Sequence, residues 1–281
     1  MNSPSLIDQY AVFGDPIGHS KSPKIHGLFA VQTGQSMHYS AHRVSAEDFA
    51  RSALAFFEQG GLGLNCTVPL KELAWQFADS LSERARLSKA VNTLQKLADG
   101  RIFGDNTDGV GLLRDLTINH QLSLADKSIL LLGAGGASRG ILGPLLEQTP
   151  KCLVIANRSI EKAIRLVHEF KHSRLSASSF TDLVGQSFDL IINATSASLT
   201  GQLPELPEQL LSAQGSCYDL AYANSATAFV SWGKDHHALK SLDGVGMLVE
   251  QAAEAFYLWR GIRPETQTVI QLLNAERNWQ V

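Results

Sequence analysis

Four polar clusters in this chain have the residue types and the spacing to do chemistry. Near the amino end, Gly18-His19-Ser20-Lys21-Ser22-Pro23 sets two hydroxyls at the start of a helix, where free N–H groups and the helix dipole favour an anion such as a carboxylate. Ser22 is equally suited to cap that helix, and both uses stay open. In Asn65-Cys66-Thr67-Val68-Pro69-Leu70-Lys71 a strand runs into a helix, which puts Lys71 in a first turn near the positive end of the macrodipole. A cation is disfavoured there and burial adds to the effect, so Lys71 is expected either to have a lowered pKa suited to proton transfer or to be solvated. In Gly104-Asp105-Asn106-Thr107-Asp108-Gly109, either Asp105 or Asp108 is placed to cap the helix that runs towards Thr117. Asn92 lies in an otherwise apolar strand, so its amide needs a partner: another buried group or a ligand hydroxyl.

A fifth feature is a strand, a glycine turn, a helix and a second strand between Ser128 and Asn157. The apolar run Ser128–Leu132 suits a strand buried on both faces of a parallel sheet. It stops at Gly133-Ala134-Gly135-Gly136-Ala137-Ser138, where glycines allow a tight turn and close approach of a pyrophosphate to the next helix's N–H groups. Ser138 stands where the strict dinucleotide pattern has Gly or Ala, so a merely structural turn is the competing reading. The second strand ends in Asn157-Arg158-Ser159 instead of the acid that accepts a ribose 2′-hydroxyl. An arginine there favours a 2′-phosphate, which makes NADP the expected cofactor unless Arg158 is an ordinary surface cation.

The elements that must position these residues follow from punctuation and period. Strands are expected at Tyr10–Phe13, near His38–Val44, at Gly63–Val68, and at Ala90–Leu97 and Arg101–Phe103 around the Asp99-Gly100 hairpin turn. Helices are expected from Pro23 to about Thr33, after the capping box Ser45-Ala46-Glu47-Asp48, and from Pro69 onward. From Ser128 the rhythm is β-α-β, with buried strands at Cys152–Ala156, Phe188–Asn193 and Ser216–Leu220, and with a kink expected at Pro144. Met247–Arg260 has one apolar helical face and stops at Gly261. The expected fold is α/β with two domains: an N-terminal mixed-sheet substrate and catalytic domain (1–107) and a doubly wound Rossmann-type NADP domain (108–246). Helices in 247–281 are expected to return to the first.

Composition narrows the class. With 281 residues, 44% hydrophobic and 18% charged, the chain is long enough for two cores. Its net charge of −3, from 24 basic and 27 acidic residues, gives no footprint for nucleic acid or an anionic membrane. Three scattered cysteines suit neither a disulfide framework nor a thiolate metal site, and the nine histidines lack zinc-helix spacing, so no metal is expected. The start, Met1 to Asp8, has no basic region followed by an apolar segment, and a cytoplasmic protein is expected.

Together, Ser20-Lys21-Ser22-Pro23, Asn65 to Lys71, Ala90-Val91-Asn92-Thr93, Gly104 to Gly109, Gly133 to Ser138, Asn157-Arg158-Ser159, Asn193-Ala194-Thr195-Ser196 and Asp243-Gly244-Val245-Gly246-Met247 resemble, in order and spacing over almost the whole chain, the signatures of the shikimate dehydrogenases. The resemblance implies NADPH-dependent reduction of 3-dehydroshikimate to shikimate, on the way to aromatic amino acids. It implies Lys71 and Asp108 as the catalytic pair and Ser20 and Ser22 on the substrate carboxylate, with Asn65, Thr67, Asn92, Tyr222 and Gln251 around the rest of the substrate. It gives Gly133, Gly135, Gly136, Ala137, Asn157, Arg158, Ser159 and Lys162 to the dinucleotide, and Thr195, Leu220, Gly244 and Met247 to the nicotinamide end. A homodimer is compatible with it. Cys66, Ser159 and Lys162 depart from the usual Val, Thr and second arginine, and lysine gives charge without a bidentate fork. The rivals are a quinate-oxidising or NAD-using paralogue and an NADP sensor without turnover; the presence of both Lys71 and Asp108 argues against the sensor.

Overall fold

Apolar runs become strands and punctuation sets their ends. The computed structural model describes residues 7–195, 197 and 201–277. The chain divides into two compact units, one holding the residues up to Gly111 with Val249–Val269, the other Leu112–Leu248 with the residues from Ile270 on.

The first unit is built on a six-stranded mixed sheet of β1 (Asp8–Gly14), β2 (Met37–Arg43), β3 (Gly61–Cys66), β4 (Ser80–Leu81), β5 (Thr93–Lys96) and β6 (Ile102–Asp105), in the order β2-β1-β3-β5-β6-β4. β1 pairs in parallel with β2 and β3, whereas β5 is antiparallel to both β3 and β6. Side chains alternate across β1 as the strand period requires. Ala11 and Phe13 join Phe49, Ala53 and Phe57 of α2 (Phe49–Glu58) in one core, while Tyr10 and Val12 meet Tyr39 and Trp259 on the other face. Trp259 belongs to α9 (Val245–Arg260) and donates its indole N–H to the Leu94 carbonyl at 3.0 Å. Gly63 makes room for that ring, since a Cβ there would lie 2.5 Å from the indole.

The second unit holds six parallel strands, β7 (Ser128–Leu132), β8 (Cys152–Ala156), β9 (Leu175–Ser178), β10 (Phe188–Asn193), β11 (Leu211–Asp219) and β12 (Ser241–Leu242), in the order β12-β11-β10-β7-β8-β9. Chain order reverses between β7 and β10, the switch point at which doubly wound sheets bind ligands beyond the strands' carboxyl ends. α6 (Gly136–Glu147) follows β7, α7 (Ile160–Phe170) follows β8 and α8 (Ala228–Asp235) follows β11, while in the first unit α4 (Glu83–Ser88) follows β4. Arg277, near the end of the described chain, pairs with buried Asp243 in this same unit.

Several local expectations differ from what forms. α1 (Ser22–Thr33) takes Ser22 as its first residue, with Lys21 at the cap position and no side-chain cap bond, so the Ser22 hydroxyl is not spent on capping. Ser45 accepts the Asp48 N–H at 3.2 Å but closes only a turn, and α2 begins at Phe49. α3 (Lys71–Phe77) starts two residues after Pro69, because the Leu70 N–H is taken by the Thr67 carbonyl in a preceding turn. The strand around Asn92 is confined to Thr93–Lys96, and α6 runs through Pro144 without a break.

Candidate active site and dinucleotide-binding turn

Two clusters of polar groups stand out, one in each unit. In the first, Lys71 opens α3 and Asp108 opens α5 (Asp108–Arg114), and the Lys71 Nζ donates to Asp108 Oδ2 at 2.5 Å. The ammonium at the unfavourable end of its helix is thereby matched by an acid at the favourable end of another. Asp108 does not cap its helix: its own N–H is taken by Asn106 Oδ1 at 3.1 Å. Asp105 is not a cap either. It ends β6 and accepts from Ser82, Arg84 and the Asn106 N–H.

Asn92 finds the buried partners its amide needs. Nδ2 lies 2.8 Å from Asp108 Oδ1, 2.9 Å from Thr107 Oγ1 and 3.3 Å from Gln251 Oε1, while Oδ1 accepts the Thr107 N–H and the Thr93 hydroxyl. Asn65 donates to the Asn92 carbonyl and to Thr93 Oγ1, and its Oδ1 accepts the Tyr39 hydroxyl at 2.7 Å. Thr67 packs its methyl toward Gly14, where a Cβ would come within 2.4 Å of it. Ser20 Oγ accepts the Ser22 N–H at 3.3 Å, and the Ser22 side chain reaches the Tyr39 phenol. Lys71, Asp108, Asn92, Gln251, Asn65 and Thr93 therefore form one continuous hydrogen-bonded network, and Tyr39 connects Asn65 to Ser22.

Tyr39, Arg84 and Thr107 were not singled out from sequence. Tyr39 is the one buried position of β2, an aromatic with a hydroxyl among polar neighbours on an edge strand. That isolation is the signal that marks it. Burial raises its pKa, so the phenol stays protonated and donates.

In the second unit, Gly133 ends β7 with φ +103°, a conformation that favours glycine, and a Cβ there would lie 3.1 Å from Thr195 Cγ2 and 3.2 Å from the Ala194 backbone. Gly135 precedes α6 and Gly136 opens it, and Cβ atoms added at either would meet nothing within 4 Å. No acid lies in the first turn of α6 and no side chain caps it, so its N-terminus is suited to an anion. Ser138 is buried and donates to the Gly133 carbonyl at 2.8 Å, which accounts for a hydroxyl where Gly or Ala is usual. Ala137 lies between them in the helix's first turn.

At the end of β8, Asn157 Nδ2 donates to the Ser159 carbonyl at 2.9 Å, and Ser159 precedes α7 without a side-chain cap bond. Arg158 and Lys162 are exposed, and among the described residues neither has an ion-pair partner. Two unpaired cations beside an uncapped helix start, with no carboxylate ending the strand, fit a phosphate on the ribose 2′-oxygen. Beyond β10 and β11, Thr195 donates to Asn193 Oδ1, and Gly244 approaches Leu220 so closely that a Cβ would lie 2.2 Å from its carbonyl oxygen. Met247 donates its N–H to the Tyr218 hydroxyl at 3.3 Å, and Tyr222 is half-buried with its pKa raised by burial and by Asp243. Ser196 and residues 198–200 lie outside the described residues. Among the described residues no group of side chains could hold a metal ion, and no helix is long and apolar enough to cross a membrane.

Known proteins are similar to this chain over nearly its whole length. Residues 12–94 match the shikimate dehydrogenase substrate binding domain, 116–213 the shikimate/quinate 5-dehydrogenase family, and 244–273 the shikimate 5′-dehydrogenase C-terminal domain. The chain is 59% identical over 271 residues to the shikimate dehydrogenase (NADP(+)) of Methylococcus capsulatus, covering 96% of this chain and 97% of that one. An Ael1 enzyme from Pseudomonas putida has 50% identity and a TM-score of 0.89, with 95% of this chain and 98% of that one covered. Shikimate 5-dehydrogenase from Thermus thermophilus, in complex with NADP(H) and shikimate, has 30% identity and a TM-score of 0.86, with 96% and 99% covered. With three family matches in chain order and relatives alike over nearly their full length, the chain belongs to the shikimate dehydrogenase family.

Proposed function

We propose that this protein catalyses the reversible reduction of 3-dehydroshikimate to shikimate with NADPH. The observation that carries the mechanism is the Lys71–Asp108 contact of 2.5 Å, set among Asn92, Thr107 and Gln251. NADPH, when bound, supplies the hydride for the ring ketone. As charge grows on the ketone oxygen, the Lys71 ammonium stabilises it and delivers a proton, giving the alcohol. Asp108 orients the ammonium, and in the oxidative direction the Lys71–Asp108 pair takes up the hydroxyl proton.

Ser20 and Ser22 hold the substrate carboxylate, which fits a Ser22 hydroxyl that does not cap its helix. Thr67, Gln251 and the remaining lone pair of Asn65 Oδ1 serve the ring hydroxyls, with Tyr222 as a further substrate contact. Asn92, its amide already engaged by protein, contributes by holding Asp108. The first unit is thus the substrate domain and the second the NADP domain. In the second, Gly133, Gly135, Gly136 and Ala137 take the pyrophosphate, while Asn157, Arg158, Ser159 and Lys162 take the ribose phosphate. Thr195, Leu220, Gly244 and Met247 serve the nicotinamide end. A cytoplasmic setting and a homodimer complete the reading; sedimentation of the purified protein tests the latter.

The deciding experiment follows NADPH formation from NADP with shikimate, then with quinate, then with NAD in place of NADP. Turnover is expected with shikimate and NADP, and no turnover with any pair would end the reading.

A further inference from the structure

We propose that Arg84 is a positioning residue for substrate binding: its guanidinium fastens the loop that carries Asp108 to the turn of α9 that carries Gln251. The idea rests on the reading of Asp108 and Gln251 given above. Asp105 ends β6 three residues before Asp108, and its side chain is 4% exposed. Its Oδ1 accepts the Ser82 hydroxyl at 2.5 Å, Arg84 Nε at 2.7 Å and the Asn106 N–H at 2.7 Å, while Arg84 Nη2 pairs with Oδ2. Burial would raise the carboxyl's pKa, yet the guanidinium, the Ser82 hydroxyl and the Asn106 N–H together hold it below its ordinary value. Asn106 in turn donates to the Ala90 carbonyl and accepts the Asp108 N–H. The Arg84 fork therefore sets the backbone from which the Asp108 side chain springs.

The same Nη2 donates to Glu254 Oε1 at 3.2 Å. Glu254 lies three residues after Gln251 in α9, so the two share a helix face. Two direct links between the loop and Gln251 are long, 3.3 Å from Asn92 Nδ2 and 3.5 Å from Thr107 Oγ1. Neutral hydrogen bonds of that length are weak, and charge-assisted ones are stronger. The charged bridge through Arg84 is accordingly a firmer tie than either of these two. It requires an arginine, because one planar fork must engage Asp105 with two nitrogens and still reach a second carboxylate.

The test is a double-mutant cycle of Glu254→Gln and Arg84→Lys, read in steady-state kinetics. Glu254→Gln reduces the tie to α9 from a charge-assisted to a neutral hydrogen bond, removes the charge that also faces Arg263, and leaves the Arg84–Asp105 fork; Arg84→Lys keeps a cation beside Asp105 but cannot bridge. Each is expected to raise KM for shikimate about fivefold or more with KM for NADP nearly unchanged; Glu254→Gln should leave kcat nearly unchanged while Arg84→Lys, which also loosens the Asp108 backbone, lowers it, and the double variant should be no worse than Arg84→Lys alone. A wild-type KM in Glu254→Gln, effects that multiply in the double variant, or parallel losses in kcat and both KM values would overturn it. If Arg84→Lys does not fold, Glu254→Gln decides by itself. Turnover by the wild type separates the outcomes: its absence removes the functional reading and this one together, whereas turnover with an unaltered KM in Glu254→Gln removes this one alone.

Discussion

Asn92 donates to Oδ1 of Asp108 at 2.8 Å, leaving Oδ2 to the Lys71 ammonium at 2.5 Å. Both oxygens are engaged, so the carboxylate is held in one orientation and Lys71 with it. Replacing Lys71 by Met should lower kcat by about 10²- to 10⁴-fold, the usual contribution of a positioned acid, with a much smaller change in KM for shikimate. Steady-state rates in both directions check this, and a near-normal kcat would remove Lys71 from the chemistry.

Arg158 is expected to act on the cofactor alone. Arg158→Ala should raise KM for NADP about tenfold, the loss of roughly 1.4 kcal/mol of charge-assisted binding. KM for NAD should hardly move, because NAD has no phosphate at that oxygen. Equal losses for the two cofactors would refute the assignment, and adding Lys162→Ala should widen the gap further.

Tyr39→Phe removes the donor to Asn65 Oδ1 and leaves that buried oxygen unsatisfied. A loss of about 1–3 kcal/mol in stability is expected, the desolvation cost of an orphaned group. Urea unfolding measures it. KM for shikimate should rise in the same variant, since both Asn65 and Ser22 lose a fixed neighbour, and a variant indistinguishable from wild type in both respects would show the phenol to be idle.

His26 gives a pH signature. Its ring stacks on Tyr39 at 4.2 Å and 6°, neither ring nitrogen has a hydrogen-bond partner among the described residues, and burial lowers its pKa from 6.5 to about 3. The unfolded chain takes a proton below 6.5 that the folded protein refuses until about 3. Stability contributed above 6.5 is therefore lost as pH falls through that window, at about 1.4 kcal/mol per unit. His26→Phe keeps an aromatic ring and abolishes this term, so between about pH 6 and about pH 4 the wild type should lose about 2 kcal/mol relative to the variant. Parallel stability curves would count against a buried neutral imidazole.

The strands were legible because burial writes itself into the chain. Leu130 and its neighbours in β7 form an unbroken apolar run, and β1 alternates between its two cores. Helix starts were less legible. Pro69 has the chemistry of a first helical residue, yet a turn closed by Thr67 delays the helix to Lys71. The Lys71 and Asp108 positions were marked by helix starts and motif order. Arg84 and Tyr39 were not, since their partners are remote in sequence: Glu254 is 170 residues from Arg84, and Asn65 is 26 from Tyr39. Local spacing holds no trace of such pairings.

Arg158 and Lys162 support no ion pair within the described chain and stand on the surface where β8 gives way to α7. If these two cations set the cofactor preference as proposed, that preference is decoupled from folding. On the reading proposed above, exchange of these side chains is expected to narrow the preference for NADP over NAD and to leave both cores intact. Such a preference can then be retuned at the surface without touching either core.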